Sequence, residues 1–224
     1  MRHFDKIVLL AVKRCGSDAL KRSLDETRPL SPSDIAATPD NRILAAMTRC
    51  VFRAGFSSAV IDGKWAAFED AFDGFDPARC ARISERRYDD LLRNEDIVRN
   101  GAKIRSVIEN AQFVEGCAQE HGSAARFFAQ WPNDDYVSLL DLLKKRASRL
   151  GGETGMRFLR AVGKPAFIPT PDVIKALIRE GVLAKAPSGK GDFQAIQKAF
   201  NRWGEQSGLD LTSMSRMLAF SVDS

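Results

Sequence analysis

Apolar residues recur at three- and four-residue spacing along most of the chain, and no run alternates apolar and polar positions long enough to read as a strand. The pattern predicts an all-α fold of about nine or ten helices joined by short capped turns, a helix-on-helix architecture. FDKIVLLAV opens the first helix, Cys15-Gly16 stops it, and SDALKRSLDE makes a second. RPLSPSDIAATPDN, with two prolines and Ser/Asp caps, reads as a linker crossing the surface. Residues 1–40 are therefore expected to form an N-terminal helical extension and linker, and residues 41–224 the main domain, its helical lobes packed as one unit. Ile43, Met47, Cys50 or Val51, and Ala54 share one helix face; Trp65, Phe68 and Phe72 share another. Asp76-Pro77 and Ser84 cap two further helices. A long helix over about 102–120 buries Ile104, Val107, Ile108, Ala111 and Cys117, and His121-Gly122 closes it. SAARFFAQW and DDYVSLLDLLKKR follow, and Phe193, Ile196, Phe200 and Trp203 mark a helix before the last short one, 209–222.

Between these elements the stretch 143–181 is set apart. LKKRASRL ends a helix on basic residues, LGGETG breaks it with three glycines in five residues, and MRFLRAVG resumes a short amphipathic helix. Thr170 is placed to cap the next helix, Pro171 takes its first position, and Gly181 ends it. Glycines before a helix leave backbone N–H groups facing outward at the positive end of the helix dipole, which suits a phosphate. The charge agrees: residues 143–190 carry eleven Lys and Arg against three Asp and Glu, while the whole chain is only +5.

The rest of the composition narrows the class. With 224 residues, 44% hydrophobic and 28% charged, the chain is long enough to bury a sizeable core. The apolar run Ile7–Val12 is too short to span a bilayer, and its charged flanks and lack of a small-residue cleavage site do not suit a signal peptide, so the cytoplasm is expected. Four scattered cysteines without paired spacing, and only two histidines, suggest neither a disulfide framework nor a structural zinc.

Three separated segments then carry a family resemblance. LGGETG (150–155) with the following turn and helix resembles the helix-hairpin-helix DNA glycosylase superfamily. IVRNGAKIRSVIENA (97–111) and AGFSSAVIDGKWAAFEDAFDGFDP (54–77) resemble corresponding stretches of the DNA-3-methyladenine glycosylase I family. The likeness spans roughly 40–183. It implies a monofunctional base-excision glycosylase that hydrolyses the N-glycosidic bond of alkylated purines such as 3-methyladenine in double-stranded DNA. It implies no cofactor, no metal and no membrane, and no obligate protein partner is evident.

The same resemblance assigns candidate residues and shows departures. Gly151, Gly152, Thr154, Gly155, Arg149 and Lys103 are candidates for DNA contact, although the glycines could serve only to let helices pack and Thr154 to cap the helix it opens. The superfamily's catalytic Asp slot holds Thr170, with Asp172 two residues on as the nearest carboxylate; an acid there also suits the helix dipole alone. Cys50 stands where the family has its base-reading Glu, and Ser58 where it has a Trp. Cys50, Phe52, Phe56, Ser58 and Trp131 are the base-pocket candidates, each with a core or surface role as the alternative. No lysine stands at the hairpin position that bifunctional enzymes use as nucleophile. The competing function is a catalytically inactive, glycosylase-like DNA-binding protein.

Overall fold

The computed structural model describes residues 1–223, and among them there are helices but no strand. Fifteen α-helices appear: α1 (Phe4–Cys15), α2 (Ser17–Glu26), α3 (Pro32–Ala36), α4 (Asp40–Arg53), α5 (Ser58–Gly63), α6 (Trp65–Ala71), α7 (Pro77–Ala81), α8 (Glu85–Arg93), α9 (Gly101–His121), α10 (Ala124–Gln130), α11 (Tyr136–Arg146), α12 (Glu153–Ala161), α13 (Pro171–Arg179), α14 (Lys190–Ser207) and α15 (Leu211–Phe220). The all-α class agrees with the sequence pattern, but the count exceeds nine or ten. Several helices of five to seven residues are too short to show a full apolar period. The linker is one of these places: α3 is capped by Ser31, whose Oγ accepts from the Asp34 amide, and buries Ile35 against α10.

The chain forms two compact units: residues 1–30, 132–138 and 165 onward in one, and 31–131 with 139–164 in the other. In the first, α15 packs on α1, α13, α14 and α2 around Phe4, Phe200, Trp203 and Leu218, all fully buried. Its termini are held by charge. Glu180 is almost wholly buried and accepts from the Arg2 amide (3.1 Å), Arg2 Nη1 (2.9 Å) and Arg179 Nε (2.8 Å). Arg179 also donates to the Ser221 carbonyl and, at 2.9 Å, to Ser221 Oγ.

The second unit is built around α9, which is buried on more than one face and packs against α4, α7, α8 and α10. Asn100 caps it, its Oδ1 accepting from the Lys103 amide, and Gly122 ends it in the left-handed region at φ 83°. Asp40 at the start of α4 serves a second helix, its carboxylate accepting from the amides of Ala124 and Ala125 at the start of α10. Beside it runs an aromatic column in which the rings of Phe75, Trp65, Phe68 and Phe72 stack at 5.3–6.3 Å between centroids.

This unit also holds three thiols, Cys80 and Cys117 buried and Cys50 half-buried. Burial pushes Cys50 up to about 11, and Cys80 and Cys117 up to about 12. In the unfolded chain a thiol ionises near 8.5, so around pH 9–11 the unfolded state has lost protons that the fold retains. Their stabilising contribution is therefore complete below about pH 8.5 and is lost as pH rises, at roughly 1.4 kcal/mol per unit for each thiol. Cys80→Ala is expected to lower the urea midpoint at pH 7 and to close that gap to wild type by about pH 10, where the wild type has lost much of what its thiol contributes. A gap that does not change with pH would contradict this.

Candidate nucleic-acid interface

The glycine-rich turn between α11 and α12 owes its shape to contacts from neighbouring elements. Asn110, fully buried on α9, takes both backbone groups of Ser148: its Oδ1 accepts from the Ser148 amide at 2.7 Å and its Nδ2 donates to the Ser148 carbonyl at 3.1 Å. The next residue, Arg149, adopts φ 60°, a conformation costly for a side chain with a Cβ and held here by its surroundings. Leu150 then plugs into the core.

The glycines divide in role. At Gly155 a Cβ would lie 2.3 Å from the Leu150 carbonyl oxygen, so glycine is what lets α12 fold back on the turn. At Gly152, which has φ 59° and precedes α12, nothing lies within 4 Å of a Cβ position, and the space is open. Gly152 has no side chain with which to cap α12, and Thr154 sits inside the first turn without capping it, contrary to the expectation for Thr154. The first amides of α12 are thus without a side-chain acceptor. Gly151 lies between, its Cβ position 3.4 Å from the Lys144 side chain.

Beside the turn is a cavity of about 340 Å³ lined by Val51, Ala54, Lys103, Arg149, Gly151 and Thr154. Four of the six expected DNA-contact residues meet here, and no carboxylate lines it. Arg149 is exposed and has no ion-pair partner among the described residues. Lys103, by contrast, is only 5% exposed. Its Nζ donates to the carbonyls of Phe52 (3.1 Å) and Ala54 (2.6 Å) at the end of α4, and lies 4.4 Å from the centroid of the Phe56 ring. Burial, and then the Arg149 guanidinium, hold its ammonium below the ordinary lysine range. The negative end of α4 compensates that charge in part.

The remaining expected residues are distributed more widely. Phe56 is 42% exposed on a segment, 54–60, that is exposed throughout, and Ser58 opens α5 on that surface. Phe52 is fully buried, its ring packed edge-on against Phe68 at 4.7 Å; it forms core wall and offers no face to a base. Cys50 is half-buried on α4, near Arg53, Arg157 and Arg49, yet burial keeps its thiol protonated at neutral pH. Around it, Arg53 Nη2 binds both oxygens of Asp62 at 2.6 and 2.7 Å, and Arg49 lies 4.2 Å over Trp65. Trp131 sets its ring edge-on to Phe127, and its carbonyl accepts from Lys164 Nζ at 2.7 Å. Burial pushes Lys164 down to about 8. Thr170 and Asp172 belong to the other unit: Thr170 Oγ1 accepts from the Val173 amide at 3.4 Å, and Asp172 lies 3.8 Å from Lys175 Nζ.

Sequence reasoning passed over Asn110. Its signal was a lone amide at helical spacing among Ile104, Val107, Ile108 and Ala111, on the apolar side of α9 and seven residues from Lys103. No group of three or more His, Cys, Asp or Glu is placed to hold a metal among the described residues, and none of their helices is long and apolar enough to cross a membrane.

The arrangement is that of an all-helical protein presenting a cationic, backbone-lined turn, and solved structures share its fold. One 3-methyladenine DNA glycosylase I is 24% identical, with a TM-score of 0.51 over 66% of this chain and 89% of that one. The 3-methyladenine DNA glycosylase I from Staphylococcus aureus, solved for its recognition of 3-methyladenine, is 23% identical, with a TM-score of 0.51 over 68% and 91%. A variant 3-methyladenine DNA glycosylase I in complex with 3-methyladenine is 21% identical, with a TM-score of 0.53 over 67% and 91%. At these identities the likeness establishes the fold. The family model for methyladenine glycosylase matches residues 36–149, half of the chain, and the chain belongs to that family.

Proposed function

We propose that this protein is a monofunctional DNA glycosylase of base-excision repair, acting in the cytoplasm on 3-methyladenine and similar alkylated purines in double-stranded DNA. The family and the fold support this, and the observation that carries it is the hairpin cavity. Arg149 and Gly151 line it beside the uncapped start of α12, no carboxylate lines it, and the acid of that first turn, Glu153, is paired with Arg157, which suits a DNA phosphate. Anchored there, the enzyme turns the damaged nucleotide out of the stack. The exposed Phe56 ring supplies an apolar face beside the cavity, and Cys50, Ser58 and Trp131 stand as further pocket candidates. A purine methylated at a ring nitrogen is cationic and leaves as a neutral base, so the sugar needs little help as water captures it. Neither a metal nor a covalent lysine intermediate is required.

Two consequences are measurable. Arg149→Ala should weaken DNA binding about tenfold and reduce the log–log salt slope by about 0.9, the share of one phosphate contact. An unchanged slope would remove Arg149 from the interface. Asp172, in the first turn of α13 where the dipole favours an acid, is expected to assist only weakly. Asp172→Asn should slow single-turnover excision from methylated DNA by about tenfold, 1.4 kcal/mol in the barrier. A near-complete loss in a folded, DNA-binding variant would make Asp172 the stabiliser of the sugar cation, and on a neutral base a loss of at least about 10³-fold is expected.

Binding without cleavage is favoured by two observations: the cavity is lined by cations and no carboxylate, and Cys50 is a protonated thiol among arginines. Incubation with methylated DNA, followed by detection of free base and of abasic sites by heat or alkali, separates the two.

A further inference from the structure

We propose that Lys103 is a positioning residue: it fixes the Phe56 segment beside the hairpin cavity and does not itself contact DNA. This rests on the glycosylase function proposed above. The geometry argues against a phosphate contact in two ways. Lys103 is 5% exposed, and reaching a phosphate would break its bonds to the Phe52 and Ala54 carbonyls, the second only 2.6 Å long. Those carbonyls close α4, where the helix leaves acceptors unsatisfied, so removing the ammonium would strand them.

What Lys103 holds is a segment with little else to hold it. Residues 54–60 are exposed, Gly55 turns at φ 78°, and the local bonds are short-range: Ala54 amide to Cys50 carbonyl, Phe56 amide to Arg53 carbonyl and Val60 amide to Ser57 carbonyl. Apart from the first amides of α5 on the Ser57 carbonyl, the hydrogen bond that another element donates to 54–57 among the described residues is that of Lys103 to Ala54. The Phe56 ring then rests 4.4 Å from Nζ, a cation–π contact that sets the ring's place as well as the backbone's. Seven residues along the same helix, Asn110 fixes Ser148 and hence Arg149. One rigid helix, α9, therefore sets both the phosphate-facing turn and the aromatic segment, so that the distance between anchor and ring is built in.

Lys103→Met removes the ammonium and keeps the length. The expected result is a folded protein whose salt slope for DNA binding stays within about 0.3 of wild type, where loss of a phosphate contact would cost about 0.9. Amide exchange over 54–60 should quicken about tenfold relative to the rest of its unit. Single-turnover excision should fall about thirtyfold, and Phe56→Ala should cost much less when combined with Lys103→Met than in wild type. Lys103→Arg, which keeps charge and donors, should recover most of the excision rate. A slope reduced by about 0.9, or additive Lys103 and Phe56 effects, would overturn the proposal. Should Lys103→Met not fold, amine acylation of the wild-type chain decides: Lys103 should label at about a tenth or less of the rate of exposed Lys144, with or without DNA. Labelling like Lys144 and protection by DNA would overturn it. A wild type that releases no base refutes the glycosylase function, while the exchange, salt-slope and labelling results still decide for Lys103.

Discussion

Gly155→Ala is expected to cost about 3 kcal/mol and to lower Tm by roughly 10 °C, the upper end for overpacking at a buried site. The added methyl would sit 2.3 Å from the Leu150 carbonyl oxygen, a backbone atom that cannot swing aside as a side chain would. Relief requires α12 to move away from the turn, which separates its first amides from Arg149. DNA affinity should therefore fall by at least about tenfold even in conditions where the variant is folded. Gly152→Ala provides the contrast. It meets no neighbouring atom, and its cost, about 1–3 kcal/mol, comes from the backbone alone, held at φ 59° and ψ −138°, outside the left-handed helical region. Thermal melts and DNA titrations of the pair check this; equal effects at the two positions would show that the hairpin is not closed at Gly155.

Glu180→Gln should be comparably costly in the other unit, about 3 kcal/mol in urea unfolding. The carboxylate is almost wholly buried and receives three donors, from Arg2 and Arg179. A glutamine retains the shape but removes the charge and turns an N–H group toward those donors, leaving Arg179 without its counter-charge. Arg179, the more buried of the two arginines, then keeps only its bonds to Ser221. A loss below about 0.5 kcal/mol would mean that water replaces the carboxylate without cost.

These two residues mark where the sequence was and was not legible. The all-α class followed from spacing, because an amphipathic helix repeats its apolar face within the chain itself. Caps were equally visible: Ser84, Asp76 and Thr170 each receive the amide expected of them. Gly155 was visible as a glycine but not as the site of a backbone contact, since Leu150 approaches it only once α12 folds back. Glu180 gave no sign, as its partners lie 178 residues away at Arg2 and next door at Arg179. The site divides in the same way. Gly151, Thr154, Arg149 and Lys103, grouped by motif and charge as candidates for DNA contact, line one cavity, yet nothing in the sequence marked Lys103 as buried or Phe52 as core. Period-3.6 spacing cannot say which apolar positions a neighbouring helix covers. Short helices such as α3 and α5 were invisible because five or six residues do not complete two turns.

The most direct measurement is the release of free base from methylated duplex DNA under single-turnover conditions, with enzyme in excess. The expected result is liberation of 3-methyladenine well above the spontaneous rate, with one heat- or alkali-labile abasic site left for each base released and no strand cut before that treatment. DNA bound with a steep salt slope but with base release no faster than in buffer would contradict catalysis and leave a binding protein on a glycosylase fold.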